Sequence, residues 1–373
     1  MAVWTSTLES MVTQELPSRL PEASFWKDKR VLVTGHTGFK GGWLATWLNR
    51  LGANVAGISL PPNTQPNFFE LSNLSKNISS HFCDIRDLKT TSQLIKDFCP
   101  EIVFHLAAQA LVRESYLHPI ETFSTNVMGT AHVLEALRGL SNLKVAIIVT
   151  SDKVYRNDNL GIPFNESNHL GGHDPYSASK AASELIVASY RDSFLADQGV
   201  GIATARAGNV IGGGDWSSDR LVPDALRAWE TGAVLTIRRP NAIRPWQHVL
   251  EPLAGYLMLA EKLYSYPHYS GAWNFGPARN TAATVREVAE LMNFHFRKGV
   301  DNQIAWGCSS EGPHEAQLLS LDASKAKSQL GISGRWSLSK TVEYTMNWYE
   351  ELRRGASAID LCEADIQRYE TNV

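Results

Sequence analysis

The sequence predicts an α/β fold, a Rossmann-like doubly wound parallel sheet followed by a smaller C-terminal lobe. Three observations lead to this prediction. Short, almost continuously apolar runs alternate with helical segments, a glycine-rich turn joins the first run to a helix, and 373 residues are enough for two lobes. Strands buried on both faces of a parallel sheet have this unbroken apolar character, and strand–helix alternation is typical of parallel sheets.

Each apolar run has the length and the β-branched composition of a strand. The predicted strands cover residues 31–33, 55–58, 102–106, 145–149 and 202–205. The predicted helices cover residues 43–48, 90–98 and 126–137 and, later in the chain, 285–294. After Arg206, glycine and proline become more frequent. We therefore place the second lobe there and expect it to exchange strands with the sheet.

Composition and charge argue against several classes of function. The formal net charge is −3, from 35 basic and 38 acidic residues, which predicts no nucleic-acid partner. The first 25 residues contain no apolar run, so we expect neither a secretory signal nor a membrane span and, by default, a cytoplasmic protein. The cysteines are too scattered for a disulfide framework or a metal site, and we expect reduced thiols. They are Cys83, Cys99, Cys308 and Cys362.

The turn after the first strand has the pattern G-x-x-G-x-x-G, at Gly35, Gly38 and Gly41. One glycine permits a sharp turn, one lets backbone N–H groups approach a pyrophosphate, and one lets the helix pack on the strand. The position between a strand and a helix favours dinucleotide binding over the alternative, a plain tight turn. The other residues of the motif that we expect at the cofactor are Thr37, Phe39 and Lys40.

Further parts of the predicted cofactor site follow later strands. Asp84, followed by Ile85, comes where it can meet an adenine amino group, or it is a solvated loop acid. Residues 58–62 end the second strand without an acid or an arginine, so this position does not decide between NAD and NADP. Small residues at the end of the fourth strand would let a dinucleotide pass close to the backbone. This stretch is Leu106, Ala107 and Ala108.

These features divide the chain into three parts. Residues 1–25 form an N-terminal appendage, residues 26–205 a dinucleotide-binding domain, and residues 206–373 mainly a substrate-binding lobe. We expect the second boundary to be soft, because strands of the two larger parts are interleaved.

A Tyr-x-x-x-Lys pair, Tyr176 and Lys180, indicates hydride-transfer chemistry. On a helix these positions share one face, so the lysine ammonium would favour the phenolate and lower the pKa of the tyrosine. A tyrosine tuned in this way can take the proton of an alcohol. Ser151, at the end of the fifth strand, would bind the reacting oxygen. The alternative for the pair alone is an ordinary surface helix contact.

Asp152 and Lys153 directly follow Ser151, although a simple dehydrogenase needs only the serine. Two more ionisable groups at the carboxyl end of a strand predict acid/base work beyond hydride transfer, with a surface ion pair as the alternative. In an extended segment Ser151 and Lys153 would face the same side.

The ordered set of motifs resembles the extended short-chain dehydrogenase/reductase superfamily, from about Trp26 onward. Within it, the sequence is similar to the sugar-nucleotide 4,6-dehydratases, and the Asp-Lys pair is that of the branch acting on CDP-glucose. Val154, where that branch often has cysteine, is a modest departure. The other segments that carry the resemblance are 25–27, 35–41, 171–176, 206–216 and 243–249.

The resemblance implies NAD as cofactor, a homodimer, and an internal redox cycle that converts CDP-glucose to CDP-4-keto-6-deoxyglucose and water. It implies that Tyr176 takes the C4 hydroxyl proton, that Lys153 removes the C5 proton, and that Asp152 protonates the leaving C6 hydroxyl, although the last two roles are interchangeable at this stage. The usual destination of such a product is a dideoxyhexose of a surface polysaccharide, such as the lipopolysaccharide O-antigen.

Several polar residues are candidates for holding the nucleotide sugar. Guanidinium groups suit bidentate phosphate contacts, although Arg206, which ends a strand-like run, can instead be half of a buried ion pair. The candidates are Gln109, Arg206, Asn209, Arg220 and Arg244.

Three other functions remain open from the sequence. A sugar-nucleotide 4-epimerase shares the fold and the Ser/Tyr/Lys set but needs no Asp-Lys pair. A reductase would release its cofactor after each turnover, and a regulatory NAD-binding module would not need a complete catalytic set. A 4,6-dehydratase that acts on another nucleotide-hexose is a further alternative.

Overall fold

The computed structural model of the protein describes residues 19–158, 161–277, 282–296, 303–307 and 319–371. Its centre is a seven-stranded parallel sheet with the order β11-β6-β5-β4-β1-β2-β3. The strands of this sheet are β1 (Arg30–Thr34), β2 (Asn54–Ser59), β3 (Ser79–Phe82), β4 (Ile102–His105), β5 (Val145–Val149), β6 (Gly201–Ala207) and β11 (Gly271–Phe275). The predicted doubly wound parallel sheet is confirmed.

Helices cover both faces of this sheet and also form much of the C-terminal part of the chain. They are α1 (Ala23–Trp26), α2 (Phe39–Arg50), α3 (Phe68–Leu71), α4 (Leu88–Phe98), α5 (Val112–Leu117), α6 (Pro119–Phe123), α7 (Gly129–Leu137), α8 (Pro175–Tyr190), α9 (Leu221–Glu230), α10 (Leu250–Ser265), α11 (Val285–His295), α12 (Ser324–Leu330), α13 (Leu338–Arg353) and α14 (Ala358–Thr371). A π-helical turn over Ser124–Met128 joins α6 to α7. Among the described residues, no helix is long and apolar enough to cross a membrane.

The described residues of the C-terminal part of the chain also form three small two-stranded sheets. Their strands are β7 (Val210–Ile211), β8 (Leu235–Ile237), β9 (Ile243–Arg244), β10 (Gln247–His248), β12 (Ala283–Thr284) and β13 (Ile304–Trp306). β10 pairs in parallel with β7, β13 in parallel with β8, and β12 antiparallel with β9.

Alternate residues of the five inner strands of this sheet enter two different cores, as the two-residue period of a strand requires. In β1, Val31 and Val33 pack in the larger core with the helices α2, α10, α13 and α14. Leu32 packs on the opposite face, with α4, α7 and α8. Apolar residues on both sides are the physical reason for the unbroken apolar runs in the sequence.

The sheet also connects the predicted parts of the chain. β6 runs through the predicted boundary at 205/206, and β11, from the C-terminal part, pairs with β6 at the edge of the main sheet. At the N-terminus, α1 extends across the predicted end of the appendage, and the Trp26 Nε1 donates to Glu261 at 2.7 Å. The division into three parts remains a prediction.

Candidate active site

The glycine turn has the geometry that its motif predicts. Gly35 has a φ of +80°, and a Cβ on it would lie 2.7 Å from the backbone nitrogen of Ala107. A Cβ on Gly41 would lie 2.1 Å from the carbonyl oxygen of Gly35. Gly38 occupies the N-cap of α2, whose first N–H groups have no partners within the helix. The turn therefore leaves a cradle that side chains would fill and that suits a pyrophosphate.

A cleft of about 990 Å³ begins at this turn and follows the carboxyl ends of the central strands. Every residue predicted for the cofactor lines it, as do all five predicted catalytic residues. Among the predicted substrate ligands, Gln109, Asn209, Arg220 and Arg244 also line it. One cleft therefore collects segments that are far apart in the sequence.

At the end of β2, where many dinucleotide sites have an acid, this chain has a pair of hydrogen-bonded hydroxyl groups. The Thr37 hydroxyl lies 2.7 Å from the Ser59 hydroxyl and donates to the Leu60 carbonyl oxygen at 2.9 Å. Asp84 is the acid on this side of the cleft. Arg86 donates to both of its carboxyl oxygens, and these hydrogen bonds hold the pKa of Asp84 below its usual range. Asp84 is therefore an oriented carboxylate at the cleft wall.

Tyr176 and Lys180 face the cleft from the first two turns of α8. The Lys180 Nζ donates to the Val149 carbonyl oxygen at 3.2 Å, which ties the helix to the end of β5. Burial raises the pKa of Tyr176, against the opposing effect of a hydrogen bond to Ser151. In the protein alone this pKa is therefore raised and not lowered as we predicted, because desolvation outweighs the hydrogen bond with Ser151 and the charge of Arg220.

Asp152 and Lys153 lie in a single 3-10 turn, Asp152–Val154, and not in the extended segment that we expected. The Ser151 hydroxyl caps this turn by accepting the Lys153 N–H at 3.2 Å. Lys153 nevertheless lines the cleft. Burial raises the pKa of the Asp152 carboxyl, which is only 3% exposed. The turn therefore presents a carboxyl that holds a proton more readily than usual, next to a lysine.

Lys40 extends from the glycine turn toward the same reactive end of the cleft. Its Nζ donates to the Tyr256 hydroxyl at 3.0 Å, and burial lowers its pKa to about 7. Arg220 and Lys180 contribute to this lowering, whereas Asp152 opposes it. Lys40 is therefore electrostatically part of the reactive cluster, a position that the motif alone did not reveal.

The structure argues against Arg206 as a substrate ligand and shows that the side chain of Gln109 already has protein partners. Arg206 does not line the cleft, because its guanidinium group is paired with Glu184 at 2.8 Å in the protein interior. Its strand position is correct, but the alternative of a buried ion pair is the one observed. The Gln109 side chain donates to Leu111 and Thr122, so its amide holds a loop.

Sequence reasoning missed four other arginines that line the cleft, namely Arg86, Arg113, Arg238 and Arg239. Arg113 and Arg238 pair with Asp219 at 3.3 and 3.8 Å. No local motif surrounds these arginines, so only the fold brings them to the cleft.

Among the described residues there is no group of three potential metal ligands. Cys83 and Cys362 are buried free thiols and Cys99 is partly buried, while Cys308 lies outside the described residues.

Comparison with known proteins places this site in a family. A family model described as GDP-mannose 4,6 dehydratase matches residues 32–345, well over half of the chain. The chain belongs to this family. Among curated relatives, the CDP-glucose 4,6-dehydratase of Salmonella typhimurium is 46% identical over 355 residues, covering 93% of this chain and 98% of the relative. The family member described here is thus an enzyme of the hydro-lyase type.

Solved structures show the same fold at lower identity. The dTDP-glucose 4,6-dehydratase of Bacillus anthracis, solved with NAD, has a TM-score of 0.71 at 20% identity, covering 86% of this chain and 96% of that one. The UDP-glucose 4-epimerase of Thermotoga maritima, solved with UDP-glucose, has a TM-score of 0.73 at 21% identity, covering 86% and 99%. The family fold thus serves both dehydratases and epimerases, and the reaction must be argued from side chains.

Proposed function

We propose that the chain is an NAD-dependent CDP-glucose 4,6-dehydratase, which forms CDP-4-dehydro-6-deoxyglucose and water. The observation that carries the proposal is the buried Asp152 in the turn with Lys153, at the floor of the cleft that also holds Tyr176 and Lys180. An epimerase only reduces its ketone again and has no use for this added acid/base pair. The identity of 46% to a curated enzyme of this activity supports the choice of CDP-glucose.

The glycine cradle, the oriented Asp84 carboxylate and the small residues after β4 fit a dinucleotide. We propose that they hold NAD, with Lys180 at the nicotinamide end. When bound, NAD would supply the hydride acceptor for C4 and the hydride donor for C6, and its cationic ring would favour the phenolate form of Tyr176. The cofactor ligands in this proposal are Gly35, Thr37, Gly38, Phe39, Lys40, Gly41, Asp84, Ile85, Leu106, Ala107, Ala108, Tyr176 and Lys180.

The side chains then act in sequence on the sugar. Tyr176, with Ser151 holding the same oxygen, removes the C4 hydroxyl proton as the C4–H bond breaks. The 4-ketone acidifies the C5 proton, which Lys153 removes. Asp152 gives its proton to the C6 oxygen as the C6–O bond breaks and water leaves. As C6 is reduced, Lys153 returns the proton to C5, and after product release Tyr176 loses its proton to solvent while Asp152 regains one. The raised pKa of Asp152 supports its assignment as the acid.

The diphosphate of the substrate needs fixed cations near the lobe. Arg220 and Arg244, from the C-terminal part of the chain, line the cleft. Asn209 also lines it and lies in the sequence between Lys180 and Arg220. We propose these three residues as substrate ligands, and we no longer include Arg206, whose guanidinium group is committed to Glu184.

The experiment is incubation of the purified enzyme with a panel of nucleotide-glucoses and a trace of NAD. Ketosugar absorbance in alkali, loss of water by mass spectrometry, and no net NADH are expected with CDP-glucose. Formation of a CDP-hexose of unchanged mass would identify an epimerase. Accumulation of NADH in step with product would identify an oxidoreductase. Turnover of another nucleotide-glucose alone would contradict the choice of cytidine.

We also propose that the protein is a homodimer and works in the cytoplasm, where NAD and nucleotide sugars are available. Exposed apolar side chains on α5, α6, the π-helical turn and α8, which pack against one another, support self-association. They are Leu117, Ile120, Met128 and Leu185. Sedimentation analysis would show a single species of twice the chain mass, and a monomer would contradict this. The product class fits the supply of dideoxyhexoses for an O-antigen.

A further inference from the structure

Glu184 and Arg206 form a buried ion pair next to the catalytic residues, since Glu184 lies on the same helix as Tyr176 and Lys180. Both side chains are only 4% exposed, and two hydrogen bonds, of 2.8 and 2.9 Å, join them in a fork. The two carboxyl oxygens of Glu184 also accept the hydroxyl groups of Thr150 at 2.5 Å and Thr204 at 2.6 Å. The carboxylate therefore makes four hydrogen bonds in a site without access to solvent.

The contacts of this pair reach both ends of the segment that carries the catalytic residues 151–153. Thr150, at its start, donates to Glu184. Tyr155, after its end, accepts from the Arg206 Nη1 at 2.7 Å and donates to Asn274 at 2.6 Å. Burial raises the pKa of Tyr155 to about 12, so its hydroxyl keeps the proton that it donates.

Glu184 also belongs to the catalytic helix. It lies one turn after Lys180 on α8, so the carboxylate and the lysine share a helix face. We propose that the Glu184–Arg206 pair is a positioning device for the dehydratase reaction: it fixes the Ser151–Lys153 segment relative to Tyr176 and Lys180, and its carboxylate keeps Lys180 cationic. This proposal rests on the reaction proposed above, but its principal test does not require turnover.

The surroundings of Lys180 make the electrostatic part measurable. Burial lowers the pKa of Lys180 to about 8, and Glu184 is the group that raises it. The other titratable groups near the amine are Tyr176 one turn earlier, Lys40 on α2 and His105 at the end of β4. Lys40 repels the ammonium, and His105 is neutral above a pKa of about 3, so neither replaces the carboxylate.

The principal test is pH-dependent acylation of Lys180 in the enzyme without ligands, followed by peptide mass spectrometry. In the wild type, reactivity should rise through an inflection near pH 8. In Glu184→Gln the inflection should fall by about one pH unit, the size of effect that one neighbouring charge produces. Because Glu184→Gln leaves Arg206 buried and unpaired, the double variant Glu184→Gln/Arg206→Met is measured as well, since it removes both charges. An unchanged inflection in a folded variant would overturn the proposal.

Two further measurements separate positioning from general stability. Glu101→Gln removes a carboxylate that accepts from Lys29 and Tyr264, far from the cleft, and should leave the Lys180 inflection unchanged. Arg206→Lys keeps the charge but loses the fork and weakens the hold on Tyr155. With CDP-glucose it should slow elimination more than C4 oxidation, so that NADH accumulates transiently, with KM within about twofold. Equal slowing of both steps would refute the geometric part. If the wild type does not convert CDP-glucose, the proposed function fails, while the acylation test still decides the electrostatic part.

Discussion

The Ser151 hydroxyl donates a hydrogen bond of 3.1 Å to Asp152 Oδ1, while Asp152 Oδ2 has no partner in the described part of the chain. A buried, half-satisfied carboxyl favours its protonated form, because ionisation in a desolvated site is costly. Ser151 thus connects the hydride-transfer group to the acid. This hydrogen bond therefore joins a residue proposed for C4 oxidation, Ser151, to a residue proposed for the elimination of water, Asp152.

Asp152→Asn should stop the reaction after C4 oxidation. The amide keeps the shape of the side chain but has no acidic proton for the leaving C6 oxygen, so product formation should fall by about 10²- to 10⁴-fold. Single-turnover absorbance should show NADH that forms and persists. Wild-type rates of water release in this variant would assign the acid to another group.

Lys153→Met should also separate oxidation from elimination, but at an earlier bond. Methionine keeps much of the bulk of the lysine and has no basic nitrogen. NADH should form and persist, and solvent deuterium should not enter C5 of the sugar, whereas Asp152→Asn should still allow exchange at C5. Exchange at the wild-type rate in Lys153→Met would show that another group removes the C5 proton.

Tyr176→Phe should lose both steps, because C4 oxidation starts the cycle. The change removes one hydroxyl group and little packing, so NAD binding and thermal unfolding should stay close to wild type. We expect at least about a 10²-fold loss of ketosugar formation, the usual effect of removing an acid/base group. Turnover near the wild-type rate would exclude Tyr176 as the base.

Gly208→Ala should impair Asp152 as the acid without changing its side chain. A Cβ at this position would lie 2.9 Å from Asp152 Oδ2 and 2.6 Å from the Pro245 side chain. The carboxyl would have to move away from the cleft floor, and elimination should slow more than oxidation. Gly334→Ala is the matched control, since a Cβ there meets nothing within 4 Å. Equal activity of the two variants would show that the carboxyl has room to move.

His248 should make the fold sensitive to acid. Its ring is fully buried between Trp43 and Trp336, and burial lowers its pKa to about 3. A depressed pKa gives stability that is present above the unfolded value of about 6.5 and is lost as pH falls toward 3, by up to about 1.4 kcal/mol per pH unit. The free energy of unfolding of His248→Gln, measured by chemical denaturation, should fall less steeply between pH 6.5 and 4.5 than that of the wild type.

The comparison of slopes is needed because other buried groups act in the opposite direction. Burial raises the pKa of Glu261 and Asp365 to about 7, and each of these favours the folded state as pH falls below that value. His268→Gln, at an exposed position, provides a matched substitution that leaves the core intact. A parallel slope in His248→Gln would mean that the buried ring contributes nothing to acid sensitivity.

Local patterns in the sequence were enough to predict the five inner strands of the main sheet and the glycine turn, but not the bounds of the edge strands β3 and β11. The apolar runs correspond to strands buried on both faces, and Gly35 and Gly41 occupy positions where a Cβ would clash with the backbone. The conformation of the Asp152–Val154 turn was not predictable, because it depends on a cap from Ser151 and on burial. The fate of Arg206 depended on Glu184, 22 residues earlier on another element, a relationship that no local pattern records.

The order of the strands has a consequence for synthesis of the chain. β6 is completed at Ala207, but its partner at the sheet edge, β11, begins only at Gly271. Until those later residues leave the ribosome, β6 is an unpaired edge strand whose residues are all buried in the folded protein. Such an edge can pair with strands of other chains. A shortened chain that ends near residue 205 would keep that edge permanently. Aggregation, not an isolated cofactor-binding unit, is therefore the expected product of such a truncation.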